Sequence, residues 1–297
     1  MIKKRGNLSF FVILHVNWVG MRTLNLNGRL VGLSSPMLMP IVNLSPESFY
    51  THFGGGADAL VCWMGDMMSA ARQAGVELLF DFGGCSTRPG GEVVSVETEW
   101  CRLEPVLKAV SRSVPDAFVS VDTFRPEIAL RCADYGVSVV NDVLGGRAGG
   151  NMFRTIGKTQ QAYVLTYSLG GVEDMHKRVV EDDVVSAAVS YFRTNIESLR
   201  AEGVRDIILD VGFGFGKTDE QNWLLLDRLS VFREFGMPLL AGISRKSMLS
   251  RAVGRGADGV LAATVAAEAV ALSRGADILR VHDVREALDT IKIISKL

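Results

Sequence analysis

Residues 206–243 read DIILDVGFGFGKTDEQNWLLLDRLSVFREFGMPLLAGI, the pattern of a strand, a glycine-rich turn, a helix and a second strand. The apolar runs Asp206–Asp210 and Leu239–Ile243 are the predicted strands, and Asp219–Glu234 carries apolar residues at helical spacing between them. Two strands joined through a helix run parallel, because the crossover returns the chain to the same end of the sheet. This stretch therefore predicts one βαβ unit.

The same alternation recurs along the rest of the chain. Eight short apolar, β-branched runs are candidate strands: Leu38–Asn43, Glu77–Asp81, Phe118–Asp122, Ser138–Asp142, Ala162–Tyr167, Asp206–Asp210, Leu239–Ile243 and Asp277–Val281. Further amphipathic stretches between them are predicted helices, among them Val96–Ser111, Asp182–Ala201 and Gly259–Arg274. Eight such units favour a closed (β/α)8 (TIM) barrel of the α/β class over an open sheet. A β-hairpin is predicted before the barrel, with Thr23–Asn27 and Arg29–Leu33 as its strands, because Asn-Gly suits a tight turn.

Composition narrows the classes of function. Of 297 residues 48% are hydrophobic, and the net charge of −1 provides no basic field for nucleic acid. Four scattered cysteines indicate neither a disulfide framework nor a zinc site, which fits a reducing cytoplasm. The apolar run within residues 1–20 is too short to cross a bilayer. We therefore expect residues 1–20 to be an extension outside the core, with a secretory signal as the less favoured alternative, and residues 21–297 to form the barrel domain.

Polar side chains recur at the ends of the predicted strands. They are Asn43, Asp81, Asp122, Asn141, Asp142, Asp210, Arg280 and His282. Active sites of such barrels are built at the C-terminal ends of the strands. A single acid in this position is usually a helix cap or turn residue, and we expect Asp142 and Asp283 to be caps or to support neighbouring site residues, not to be catalysts. So many polar side chains at strand ends predict one shared polar site at the mouth of the barrel.

Several local motifs identify a family resemblance. The stretches are NLSPESF (43–49), DFGGCSTRPG (81–90), DVGFGFGK (210–217) and SRKSM (244–248), together with SVDT (120–123), VND (140–142) and RVHD (280–283). The glycine-rich stretch at 210–217 fits neither the P-loop nor the dinucleotide-binding spacing. In this order the motifs resemble the dihydropteroate synthases, which are pterin-binding barrels, from about Met21 to the C-terminus. The STRPG and SRKSM segments are the most specific of them.

The resemblance implies an activity and a first group of site residues. It implies a transferase that condenses 6-hydroxymethyl-7,8-dihydropterin diphosphate with p-aminobenzoate, giving 7,8-dihydropteroate and pyrophosphate by dissociative substitution. Asp122, Asn141, Asp210 and Lys246 match the family's pterin-binding positions, with Arg280 beside them. Asp122, Lys246, Arg88 and Asp81 are the residues expected to take part in catalysis.

The remaining implied residues bind the other two substrate groups. Asn43, Arg88, Arg280 and His282 match the diphosphate positions, and Asn43 is also the implied ligand of Mg²⁺, the implied cofactor. Thr87, Pro89, Phe215 and Ser247 match the positions that bind p-aminobenzoate. The resemblance further implies a cytoplasmic homodimer whose partners are small-molecule substrates, with no nucleic acid or membrane.

Two other functions remain open from the sequence. One is a non-catalytic pterin-binding paralogue of the synthase, and the other is a pterin barrel of the methyltetrahydrofolate type. The chain also departs from the family pattern at the end of the fifth predicted barrel strand, where Thr166-Tyr167-Ser168 stands in place of residues like Met-His-Met. We expect this change to reshape the floor of the pterin pocket.

Overall fold

Eight parallel strands close into a barrel in the computed structural model, which describes residues 22–54, 56–85, 93–149, 151–168 and 183–297. The strand order around the barrel is β10-β3-β4-β5-β6-β7-β8-β9, with β10 pairing back to β3. The barrel strands are β3 (Met37–Asn43), β4 (Leu79–Gly83), β5 (Phe118–Asp122), β6 (Val139–Asp142), β7 (Ala162–Thr166), β8 (Ile207–Asp210), β9 (Leu239–Ala241) and β10 (Ile278–Val281). The predicted fold class is confirmed.

Helices connect the strands and form the outer layer. They are α1 (Pro46–Phe53), α2 (Ala57–Ala74), α3 (Val96–Ser113), α4 (Pro126–Ala133), α5 (Met152–Thr159), α6 (Val184–Ala201), α7 (Asp219–Asp227), α8 (Ser247–Val253), α9 (Leu261–Ser273) and α10 (Val284–Ile294), with 3₁₀ helices at Leu229–Phe235 and Ala257–Gly259. None of the helices in the described residues is long and apolar enough to cross a membrane.

A two-stranded antiparallel hairpin precedes the barrel, formed by β1 (Thr23–Leu26) and β2 (Arg29–Gly32). Its turn residues Asn27 and Gly28 have φ of 52° and 79°, as a type I′ turn requires. The buried hairpin side chains pack in one cluster with the lowest inward-facing residues of the barrel. The hairpin therefore closes the N-terminal end of the barrel and leaves the opposite end as the mouth.

Alternation along the strands determines which side chains face that mouth. On β5, Phe118 belongs to the cluster inside the barrel, whereas Val119 and Val121 pack outward against the helices. Because side chains alternate with a period of two, Ser120 and Asp122 point inward above Phe118. The same rule places the last inward residue of most barrel strands at the rim.

Most predicted segments differ from the observed elements by one or two residues at an end. The second barrel strand, predicted at Glu77–Asp81, is Leu79–Gly83, since its ladder follows the two neighbouring strands as far as Gly83. The predicted strand Leu239–Ile243 ends at Ala241. The predicted helix Asp219–Glu234 is α7 followed by the 3₁₀ helix. The predicted helix Asp182–Ala201 begins at Val184, after Asp183 caps its first turn.

Candidate active site

An arginine bridges two buried carboxylates at the centre of the mouth. Arg280 Nε donates to Asp81 Oδ2 at 2.7 Å, and its terminal nitrogen Nη2 donates to Asp122 Oδ2 at 2.6 Å. Burial lowers the pKa of Arg280, but the two carboxylates raise it by more, so the guanidinium stays charged. Burial raises the pKa of Asp122 to about 7, with Arg280 acting in the opposite direction. The three side chains form one ion-pair network across β4, β5 and β10.

Asn141 and Asp210 extend this network along the rim. Asn141 Nδ2 donates to Asp81 Oδ2 at 2.9 Å, and both side chains are buried. Asp210 accepts the backbone N–H of Gly212 at 2.8 Å, and burial raises the pKa of its carboxyl. A Cβ at Gly242 would lie 3.8 Å from Asp210 Oδ2 and 4.0 Å from Arg280 Cβ, so Asp210 and Arg280 flank this glycine. The structure thus brings the predicted acidic and amide residues together.

Lys246 reaches the same region from the loop after β9. Its ammonium nitrogen lies 4.2 Å from the centroid of the Phe215 ring, and its aliphatic stem passes Gly214, where a Cβ would lie 3.4 Å from Lys246 Cδ. Desolvation lowers the pKa of Lys246 to about 8, with the charge of Arg280 acting in the same direction and Asp210 opposing it. Lys246 makes no ion pair with a carboxylate among the described residues. The amine of Lys246 therefore faces Phe215, another predicted site residue.

The other predicted site residues lie on the rim or outside the described residues. Asn43 ends β3, pairs in register with Gly83, and accepts the N–H of Ser45 at 2.9 Å. His282 follows β10, and its Nδ1 lies 3.2 Å from Ser244 Oγ. Ser247 is the first residue of α8. The predicted residues Thr87, Arg88 and Pro89 fall in 86–92, outside the described residues.

The end of β7 differs from the family pattern in a way the structure explains. Tyr167 packs outward, with its ring centroid 5.2 Å from that of Tyr191 on α6. Thr166 follows the inward-facing Val164 by two residues, so its side chain points to the barrel interior opposite Asp210. The methyl group of Thr166 lies beside Gly212, where a Cβ would be 3.2 Å away. Thr166 therefore brings a methyl group and a hydroxyl to this depth of the mouth.

Lys217 fixes the glycine-rich loop after β8, a role that the sequence analysis did not identify. Its ammonium donates to the carbonyl oxygens of Tyr167, Gly212 and Phe215 at 2.7, 2.9 and 3.0 Å. Desolvation lowers the pKa of Lys217 to about 7. A lysine that ends a glycine-rich loop was the available signal, because such loops leave carbonyl groups that need donors. Lys217 ties the Phe215 loop to the end of β7.

Polar atoms without partners are concentrated around this mouth. Within the described residues, six buried side-chain atoms lack a hydrogen bond, and five of them lie on β4, β5 or the end of β7: Asp81 Oδ1, Ser120 Oγ, Asp122 Oδ1, Thr166 Oγ1 and Ser168 Oγ. Buried polar groups are normally satisfied, so such a concentration marks a place that is completed by a ligand or water. The mouth offers acceptors and hydroxyls to a flat polar molecule.

Known proteins similar to this chain share both the sequence and the fold. The dihydropteroate synthase of Escherichia coli (strain K12) is 34% identical over 272 residues, covering 90% of this chain and 93% of its own. A crystal structure of the Yersinia pestis dihydropteroate synthase with a sulfonamide drug complex aligns with a TM-score of 0.83 and 32% identity, covering 93% and 98% of the two chains. A Xanthomonas albilineans dihydropteroate synthase with 4-aminobenzoic acid aligns at 0.81 and 33%, with the same coverage.

The barrel and its polar mouth define an α/β-barrel enzyme with its active site at the C-terminal rim. A family model described as pterin binding enzyme matches residues 39–282, which span the barrel from β3 to the end of β10. The chain therefore belongs to the pterin-binding enzyme family and, within it, to the dihydropteroate synthases.

Proposed function

We propose that the protein transfers the pterin methylene from diphosphate to the amine of p-aminobenzoate, producing 7,8-dihydropteroate and pyrophosphate. The observation that carries this proposal is the convergence of Asp122, Asp210, Lys246 and Arg280 at one mouth of the barrel. Membership of the dihydropteroate synthases indicates the reaction, and the four clustered side chains indicate where on the barrel it would take place.

The pterin ring is bound by the deep acidic and amide groups. Asp122, Asn141 and Asp210 present carboxylate and amide atoms that can pair with the donors and acceptors along a pterin edge. The unpartnered Oδ1 of Asp122 supports this assignment. Lys246 contributes donors from the opposite side, beside the ring of Phe215.

The diphosphate is bound further out, by Asn43, Arg88, Arg280 and His282. A guanidinium fork suits phosphate oxygens, and Arg280 keeps its positive charge. Mg²⁺ would be held by Asn43 together with phosphate oxygens and water, and it would neutralise charge on the leaving group. Asn43 fits this role, because an amide oxygen has two lone pairs and Ser45 uses one of them. Among the described residues no group of three or more His, Cys, Asp or Glu side chains could hold a metal, so the protein would supply few ligands.

p-Aminobenzoate is bound by Thr87, Pro89, Phe215 and Ser247. Phe215 is held by the Lys217 clamp on its own loop and offers a ring face to the aromatic substrate. Ser247 opens α8, where backbone N–H groups favour a carboxylate. A carboxylate bound at the start of α8 would leave the amine, at the other end of p-aminobenzoate, available to the pterin methylene.

The reaction proceeds by dissociation and then capture. The methylene C–O bond breaks, its electron pair leaves with pyrophosphate, and positive charge develops on the methylene carbon. The carboxylates of Asp122 and Asp81 stabilise that charge, whereas Arg88, Arg280 and Lys246 stabilise the leaving group and orient the ring. The lone pair of the neutral aniline nitrogen then forms the C–N bond, and the nitrogen releases its proton to solvent.

The test is a pyrophosphate-release assay with the pterin diphosphate, with and without p-aminobenzoate and Mg²⁺. We expect release that depends on the amine, with 7,8-dihydropteroate formed in equal amount. Binding of 7,8-dihydropterin without amine-dependent release would contradict the proposal and indicate a pterin-binding paralogue. An EDTA-treated sample that turns over at the full rate would contradict the role of Mg²⁺.

Three further properties are proposed from the resemblance. The protein acts in the cytoplasm, as a homodimer, and residues 21–297 suffice for activity. Exposed apolar side chains on neighbouring helices, Trp223 and Leu224 of α7 and Val270 of α9, support a self-associating face. Light scattering at a mass twice 32.2 kDa is expected, and a chain that begins at Met21 should retain turnover.

A further inference from the structure

Two loops at the mouth are joined side by side. The loop after β9 carries Ser244 and Arg245, and the loop after β10 carries His282 and Asp283. Ser244 Oγ accepts the backbone N–H of His282 at 3.2 Å, and one residue later Arg245 meets Asp283 in a two-point ion pair. Its Nε donates to Asp283 Oδ2 at 2.8 Å and its Nη2 to Asp283 Oδ1 at 2.6 Å. Such a fork fixes orientation as well as distance.

Arg245 adopts an unfavourable backbone conformation to make this contact. Its φ of +55° lies in the left-handed region, which costs a residue with a Cβ free energy and persists only where surrounding contacts hold it. Those contacts are the ion pair, a hydrogen bond from Arg245 N–H to Thr264 Oγ1 on α9 at 3.2 Å, and longer contacts of Nη1 with the carbonyl oxygen of Ala257 at 3.5 Å and Asp258 Oδ1 at 3.8 Å. Contacts with other loops therefore override the intrinsic backbone preference of Arg245, the residue just before Lys246.

Asp283 gives up a local role for the same contact. It occupies the N-cap position of α10, where an aspartate normally accepts N–H groups of the first turn. Within 183–297, all of which the structure describes, its carboxylate makes no such cap and instead faces Arg245. Of the two roles expected for Asp283, helix cap or support for neighbouring site residues, its side chain does not form the cap, because it is engaged in the ion pair.

Asp283 is the nearest charged partner of Arg245, because exposed Asp258 lies further away, at 3.8 Å, and a nearby buried acid does not compete. Glu268 on α9 is buried, and desolvation, followed by the charges of Asp283 and Glu286, raises its pKa to about 8. Glu268 is therefore largely neutral at pH 7 and does not compete for Arg245. An unfavourable backbone conformation at Arg245 and a missing side-chain cap at Asp283 thus meet at one well-defined ion pair, which is the pattern of a functional constraint.

We propose that Arg245 and Asp283 are positioning residues for the transfer reaction. Their ion pair fixes the loop after β9 against the loop after β10, and so places Lys246 and Ser247 relative to His282. These three side chains lie in the proposed pterin, p-aminobenzoate and diphosphate sites, so the pair sets how the two substrates face each other. The inference rests on the proposed function for its kinetic consequences and on the geometry alone for its structural ones.

The test compares Asp283→Asn and Arg245→Leu with a matched ion pair. Arg251 of α8 and Asp219 of α7 form the same two-point contact but at the surface, with the Arg251 side chain 59% exposed. Arg251→Leu and Asp219→Asn are the controls. We expect the test variants to lower kcat/KM about tenfold or more and to raise KM for both substrates, while the controls stay within twofold of the parent. Arg245→Leu combined with Asp283→Asn should lose no more than Arg245→Leu alone, because both changes remove one interaction.

A second measurement does not require turnover. The pH dependence of Lys246 acylation, followed by mass spectrometry, reports the pKa of that lysine, which is about 8 in the intact site. We expect the midpoint to move toward the ordinary lysine value of 10.5 in both test variants, since a loosened loop admits water, and to stay unchanged in the controls. Test variants that match the controls in either kinetics or acylation midpoint would overturn the inference. If even the parent protein lacks turnover, the proposed function fails, and the acylation midpoints alone decide the inference.

Discussion

Replacing Lys246 with methionine should move stability and activity in opposite directions. Burial holds the pKa of Lys246 at about 8 instead of 10.5, which corresponds to about 3 kcal/mol of unfavourable environment for the charged amine. Methionine keeps the length of the side chain without the charge, and it loses the cation–π contact with Phe215, worth about 1–2 kcal/mol. We therefore expect Lys246→Met to stabilise the fold by about 1–2 kcal/mol.

The same substitution removes donors from the proposed pterin site. Loss of a hydrogen bond from a charged group costs about 1.5–3 kcal/mol, or roughly 10- to 150-fold in kcat/KM. The stability gain should appear as a rise of about 2–8 °C in the melting temperature, at about 2–4 °C per kcal/mol. Calorimetry and the pyrophosphate-release assay measure the two effects on one sample.

The dependence on pH provides an independent check of the cause. The folded protein binds fewer protons than the unfolded chain between pH 8 and 10.5, because the pKa of Lys246 is lowered in the fold. The advantage of the methionine variant should therefore be complete below pH 8 and should vanish as the pH rises toward 10.5. Lys292→Met serves as the control, since its side chain is 54% exposed and pairs only at the surface with Asp289. A melting temperature that falls in Lys246→Met, or turnover that survives unchanged, would refute this reasoning.

Three other substitutions or modifications have distinct expected outcomes. Arg280→Met should abolish turnover and lower the free energy of unfolding by about 3–5 kcal/mol, because two buried carboxylates lose their cation. An unchanged melting curve would contradict this. Tyr163→Phe should lower the free energy of unfolding in urea by about 1–3 kcal/mol and leave turnover within twofold of the parent. The reason is that the Tyr163 hydroxyl donates to buried Asp142 at 2.7 Å, on the side of the barrel that faces the helices. Loss of turnover at full stability would contradict this structural role. Ellman's reagent should label the exposed Cys62 and Cys101 in the folded protein and all four thiols only after unfolding. Four reactive thiols in the folded protein would contradict the burial of the other two cysteines.

The bounds of a strand are predicted well from the sequence where the strand's own apolar pattern determines them. Phe118–Asp122 was predicted with the observed bounds, because its apolar run ends at a polar residue. The extension of β4 to Gly83 was not predictable, since it depends on pairing with β3 and β5. The break after Asp227 was also missed, because buried Leu225, Leu226, Leu229 and Phe232 follow a spacing that suits both an α-helix and a 3₁₀ helix.

The composition of the site was more predictable than its contacts. Their position at or near the ends of predicted strands was enough to gather Asp81, Asp122 and Asp210 at one mouth. The ion pairs of Arg280 join residues 199 and 158 positions apart, and no local pattern encodes that distance. The left-handed Arg245 and the carbonyl clamp of Lys217 likewise depend on neighbours supplied by other loops.

The layering of charge in the mouth suits a substrate that separates into opposite charges. Buried carboxylates form the deep layer, where Asp81 and Asp122 each have one oxygen without a hydrogen-bond partner in the part of the chain that the structure describes. Cationic side chains overlie them, and burying such charges yields little stability, so packing alone does not explain their presence. A departing diphosphate would draw Arg280 outward and weaken its hold on the carboxylates at the moment when positive charge forms on the methylene carbon. The two carboxylates, less neutralised by Arg280, would then stabilise the transition state more than the bound substrate. Binding energy accelerates a reaction only when it favours the transition state in this way.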